Sequence, residues 1–217
     1  MRSQLSASTS TLHAEPEPRA SELAAGTAVI EAASLALLEG PRLSAALAAE
    51  SLPLEPGLYA IFASQPTRGE LGLPERPLRQ PIYVGKAEDS LLKRDGQKHF
   101  KEGETSQSTL RRSIAALLRD PLQLLAQPRN PDNPGYFDRF GLDLASERVL
   151  QRWIGEHLEI STWVKPAGVR LLDVERGLLR LWTPPLNLTD NPGRWPELKK
   201  IRRVMADDAR RWAGEPH

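Results

Sequence analysis

Two short runs constrain the fold more than anything else in the chain: GLYAIFA at 57–63 and PIYVGKA at 81–87. Both are rich in aromatic and β-branched residues and are bounded by proline and glycine, so both predict strands. The 17 residues between them, SQPTRGELGLPERPLRQ, hold three prolines and two glycines. They predict an irregular loop between paired strands, long for a hairpin connection. Each run also sets a tyrosine beside a glycine, in Gly57-Leu58-Tyr59 and Tyr83-Val84-Gly85, and a basic stretch follows at once. The tyrosines either fill a core with their hydroxyls satisfied or are held toward a phosphate.

The rest of the chain reads mainly as helix and loop. Residues 1–26 are rich in Ser, Ala, Glu and Pro without periodicity and predict a disordered tail. The Ala/Leu-rich stretch 27–54 predicts helices broken at Gly40-Pro41. A helix is expected from Asp89, and another over 105–118, where Leu110, Ile114, Leu117 and Leu118 recur at helical spacing. Prolines, glycines and asparagines make 127–143 a loop. A Ser146 cap opens a helix to Leu158, EISTWVKP alternates like a third strand, and a helix over 169–182 stops at Pro184-Pro185. A basic amphipathic helix occupies 196–212. The 217 residues suit one domain with additions, and no internal repeat is present.

Cysteine is absent, which excludes disulfides and thiolate metal sites and fits a reducing cytoplasm. No apolar run approaches the ~20 residues that span a bilayer, and the first residues lack the layout of a secretory signal. A net charge of +1 argues against a protein that coats nucleic acid non-specifically, while leaving room for a local basic groove. A cytoplasmic protein is the expectation.

The order of Gly57-Leu58-Tyr59, Tyr83-Val84-Gly85-Lys86, Arg94, His99, Glu175 and Asn187 resembles the GIY-YIG nuclease superfamily, which takes its name from the two tripeptides. The helical Glu175, with prolines shortly before Asn187, matches a second part of the family pattern. The likeness covers roughly 56–100 and 158–188 and treats about 101–145 as an insertion. It implies an α+β fold, with a small three-stranded antiparallel sheet flanked by helices over 55–190. It also implies Mg²⁺-dependent hydrolysis of DNA phosphodiesters, with Mn²⁺ as a substitute. By the same resemblance Tyr59 and Tyr83 activate water and contact phosphate, Arg94 stabilises transition-state charge and Glu175 binds the metal. The chain departs from the pattern at His99, which lies five residues after Arg94 with Lys98 in the fourth place.

The residues support this chemistry independently. Phosphodiester hydrolysis needs an attacking water and neutralisation of phosphate charge. Leu171 and Leu178 set Glu175 on or beside an apolar stripe, where a carboxylate is costly unless paired or bound to a metal. Its alternatives are pairs with Arg170 or Lys86. A phenol of reference pKa ~10 needs nearby cations to act as a base, and Lys86, Lys93 and Arg94 are the candidates. Arg111 and Arg112 stand in reserve for Arg94, or contact phosphate without catalysis. Gly57 and Gly85 permit a close backbone approach or a bulge. Asn187 holds the active-site loop, contacts the metal shell or simply ends a turn.

The last stretch, RWPELKKIRRVMADDARRW, carries seven basic and three acidic residues. Lys199, Lys200, Arg202 and Arg203, with Arg111 and Arg112, are candidates for tracking a phosphate backbone. The alternative for such a helix is a solvated face. The insertion, with Arg119, Arg129 and Arg139, is the candidate for substrate selection. The expected substrate is double-stranded DNA and the expected role restriction or another defence. The rival is a domain of the same fold that binds nucleic acid without cutting it.

Overall fold

The computed structural model describes residues 20–93, 99–130, 132–133 and 135–214. Helix α1 (Ala20–Glu39) begins inside the stretch read as a tail, because alanine, leucine and glutamate extend a helix readily. Residues 1–19, the remainder of that tail, lie outside the described part. The two-residue strand β1 (Leu43–Ser44) then leads into α2 (Ala45–Ser51). After β2 (Gly57–Ala63) the expected irregular loop contains a short helix, α3 (Gln65–Glu70). Ser64 caps it, its Oγ accepting the Thr67 N–H at 3.3 Å, and a proline sits in the first turn. Buried Arg68 ties the loop together by donating to the carbonyls of Ala63 and Gln80 before β3 (Tyr83–Ala87).

The helix expected from Asp89 is described only as far as residue 93. A 3-10 turn (Thr105–Gln107) precedes α4 (Thr109–Leu117), which Ser108 caps. The loop expected over 127–143 holds two tiny paired strands, β4 (Ala126–Gln127) and β5 (Gly141–Leu142), and a 3-10 turn at Phe137–Arg139. Helix α5 (Leu144–His157) starts earlier than its expected Ser146 cap. Asp143 is the cap, accepting from the Ser146 N–H at 2.8 Å, while Ser146 Oγ accepts the Leu125 N–H. Strand β6 (Leu158–Val164), α6 (Leu171–Trp182) and α7 (Pro196–Gly214) complete the fold. Among the described residues no helix is long and apolar enough to cross a membrane.

The main sheet is antiparallel in the order β1-β6-β2-β3, with four strands where three are expected. The extra strand, β1, satisfies the outer edge of β6 through only Leu43 and Ser44, too little sequence to announce a strand. Both faces of β2 are covered, which explains why its sequence is continuously apolar rather than alternating. Leu58, Ala60 and Phe62, with Val84, meet α1 and α6 through Leu37, Leu171, Val174, Leu178 and Trp182. Tyr59, Ile61 and Ala63 face the other way, into a core with Leu110 and Ile114 of α4, Leu150 and Ile154 of α5, and Met205 of α7.

Strand β3 is the sheet's edge, and the chain leaving α6 wraps around it. Trp182 still packs on the α6 side, whereas Leu186 belongs to the tyrosine-side core. There Asn187 closes the edge in place of a further strand. Its Oδ1 accepts the Val84 N–H at 2.9 Å and its Nδ2 donates to the Val84 carbonyl at 2.7 Å. Asn187→Ala leaves both buried groups without this partner and is expected to cost about 1–3 kcal/mol. Urea unfolding measures the loss, and amide exchange at Val84 is expected to quicken with it.

Candidate active site

The strand register brings the tyrosines together. Ile61 lies opposite Tyr83 and Tyr59 opposite Gly85, so Tyr59 and Tyr83 are diagonal neighbours on one face. Their ring centroids are 6.1 Å apart. Gly85 makes this possible, since a Cβ there would run into the Tyr59 phenol, which lies across the β3 backbone. Tyr59 is 1% exposed and part of the core, while Tyr83 is only half-buried.

His99 joins them from the turn beyond residues 94–98, its ring 5.6 Å from that of Tyr59 and 6.1 Å from that of Tyr83. Its Nε2 is 2.7 Å from the Tyr59 hydroxyl and its Nδ1 is 2.5 Å from Ser108 Oγ. Ser108 Oγ also accepts the Arg111 N–H at 3.0 Å as the cap of α4, so the helix start fixes the hydroxyl that the imidazole meets. With a proton on Nδ1 donated to Ser108, Nε2 accepts the Tyr59 O–H; the other tautomer reverses both bonds.

A buried ion pair holds the segment that carries His99. Arg111 is fully buried and bonds Glu147, itself 3% exposed, at 2.8 Å. The same guanidinium donates to the His99 carbonyl, to Gln151 Oε1 and to Thr105 Oγ1. Glu147 accepts the Gly103 and Thr105 N–H groups, and Gln151 donates to the Phe100 carbonyl. Burial pulls the Arg111 pKa below the usual arginine range, and the Glu147 charge opposes that shift. Arg111 therefore cannot contact a phosphate backbone or stand in for Arg94 as expected; it is a strut.

Arg94 lies outside the described residues. The register turns Lys86 to the Leu58 side of the sheet, away from the tyrosines, where its Nζ bonds Glu88. Glu175 is half-buried on α6, whose buried residues Leu171, Val174, Leu178 and Leu179 belong to the core on that same far side. Arg170 pairs with Asp173 at 3.7 Å. A Cβ on Gly57 would meet the Trp163 carbonyl of β6. Lys199, Lys200 and Arg203 are exposed on α7, while Arg202 is half-buried.

Sequence reading passed over Ser108, Glu147 and Gln151. Ser108 stands before the apolar periodicity of α4, where a cap belongs. Glu147 and Gln151 share one side of α5 with the buried Leu150 and Ile154, an odd place for polar groups to lie unpartnered.

A sequence model of the GIY-YIG catalytic domain matches residues 57–206, from the start of β2 into α7. The chain belongs to the GIY-YIG family, and its catalytic domain is of the nuclease class, with nucleic acid as the implied substrate. Comparison with curated proteins and with solved structures gave no match.

Removing one partner of the buried pair is the sharpest test of its role. Glu147→Leu is expected to cost about 3–5 kcal/mol in urea unfolding, and the double variant Arg111→Met/Glu147→Leu to recover much of it. Equal losses in both would show that charge pairing is not what holds the segment.

Proposed function

We propose that this domain is a metal-dependent endonuclease that hydrolyses phosphodiester bonds of double-stranded DNA, in restriction or another defence role. The observation that carries the reading is the Tyr59 hydroxyl bonded to His99 Nε2 beside Tyr83, inside a GIY-YIG domain. His99 can take the Tyr59 proton, with Ser108 holding the opposite ring nitrogen. Tyr59 then orients and deprotonates the water, and the more exposed Tyr83 contacts the phosphate. Arg94 supplies a forked donor for the charge that develops.

Glu175 would hold the metal. Among the described residues no three of His, Asp and Glu gather as a cage. That donor set suits Mg²⁺, or Mn²⁺ in its place, which takes one or two carboxylates and keeps phosphate oxygens and waters for the rest. When bound, the ion would neutralise phosphate charge and acidify the attacking water.

Two observations favour the rival, a domain that binds nucleic acid without cutting it. Tyr59 is almost fully buried, and α6 packs on the far side of the sheet. Supercoiled plasmid incubated with Mg²⁺ or Mn²⁺, against EDTA, separates the two. Metal-dependent nicking is expected, abolished in Glu175→Ala and reduced by about 10²–10⁴-fold in Tyr59→Phe. Binding without cleavage by the intact protein would favour the rival.

A further inference from the structure

The arginines around the tyrosine face sort into two groups. Arg111 pairs with Glu147, Arg119 with Asp208, Arg210 with Asp207 and Arg211 with Asp208. Arg112, Arg129, Arg139 and Arg202 make no ion pair among the described residues, although they come from four separate parts of the chain. Arg112, on α4, is 7% exposed and donates to the Thr105 and Ser106 carbonyls, while its buried Nε has no partner among the described residues. Arg202 sits on the face of α7 that carries the buried Leu198, Met205, Ala206 and Ala209, and α7 packs on α4 and on the 137–139 turn. That turn supplies Arg139, whose guanidinium lies 5.7 Å from the ring of exposed Tyr136.

Tyr83 packs against the core that contains Leu110 and Ile114 of α4 and Leu198 and Met205 of α7, the helices that carry Arg112 and Arg202. Burial, then the charges of Arg202 and Arg139, push the Arg112 pKa down to about 10, with Arg129 adding to the effect and Tyr83 opposing it. Burial also lowers Arg202, opposed by Tyr83 and Asp138. Holding buried Arg112 and half-buried Arg202 near further guanidiniums is costly, and a phosphate is the ligand that their forked donors fit.

We infer that Arg112, Arg139 and Arg202 form a phosphate-binding site beside Tyr83, which takes a nucleic-acid backbone phosphate next to the one held at the tyrosines. The identity of the ligand rests on the nuclease reading; the anion site itself does not. It makes α7 and the insertion part of one binding wall and leaves Lys199, Lys200 and Arg203 to the outer surface of α7.

Two probes test it without cleavage: inorganic phosphate, and a short DNA duplex in EDTA. At matched ionic strength phosphate is expected to raise the melting temperature of the intact protein, and Arg202→Met to lose that rise. The slope of log affinity for the duplex against log salt is expected to fall by about 1 in Arg202→Met. The same fall is expected in Arg139→Ala, an exposed position that stays informative should Arg202→Met fail to fold. Arg180→Ala, exposed on α6, is expected to change neither. Unchanged slopes in both cluster variants would overturn the site. A phosphate response lost in Arg202→Met with duplex binding intact would overturn its assignment to nucleic acid. Arg202-dependent duplex binding without metal-dependent cutting would uphold the site and remove the catalytic reading.

Discussion

The site depends on a salt bridge that meets it only at the His99 backbone. Arg111 and Glu147 meet across 36 positions of sequence, and between them they bond the backbone at 99, 103 and 105. A pair so thoroughly desolvated contributes little net stability, but it punishes any arrangement that leaves one partner alone. It therefore acts as a register lock. The segment carrying His99 can settle against the sheet in the one way that satisfies both charges, and that way places the imidazole on Tyr59.

From this lock follows a division of labour between the two faces of the sheet. One face is a dry support of leucine, valine and tryptophan from α1 and α6. The other combines a core with chemistry: Tyr59 is both a packed aromatic and a proton donor or acceptor to His99. The choice between a core tyrosine and one facing phosphate therefore does not hold for the pair. Tyr59 is inside, and Tyr83 is the more open of the two.

The strands carrying the tyrosines were legible because aromatic and β-branched residues between prolines and glycines have few other uses. The order of motifs pointed to the family that the whole-domain match then showed. What the sequence could not sort was STLRRS. Arg111 and Arg112 are adjacent and chemically identical, yet a step of about 100° around a helix sends one into a sealed ion pair and the other toward a cluster of like charges. Its partner Glu147 belongs to another helix, so no local pattern reveals the difference. β1 was invisible for a different reason, since Leu43 and Ser44 become a strand only because β6 offers them an edge. Lys86 was misjudged by proximity in sequence to Tyr83, when alternation along β3 places it on the other face.

The position of β6 has a consequence for how the chain comes into being. β2 pairs with β6 along its full length, from Gly57 with Val164 to Ala63 with Leu158. A ribosome releases the β2–β3 hairpin long before β6 exists, and the whole insertion with α5 must emerge in between. Throughout that interval a fully apolar strand presents one unpaired edge, the kind of surface on which nascent chains stick to one another. The same long-range closure places the sheet among slow-forming topologies. Crowded, fast translation is thus the condition under which this protein is most exposed to misassembly, and its yield should respond to chaperone supply more than its finished stability would suggest.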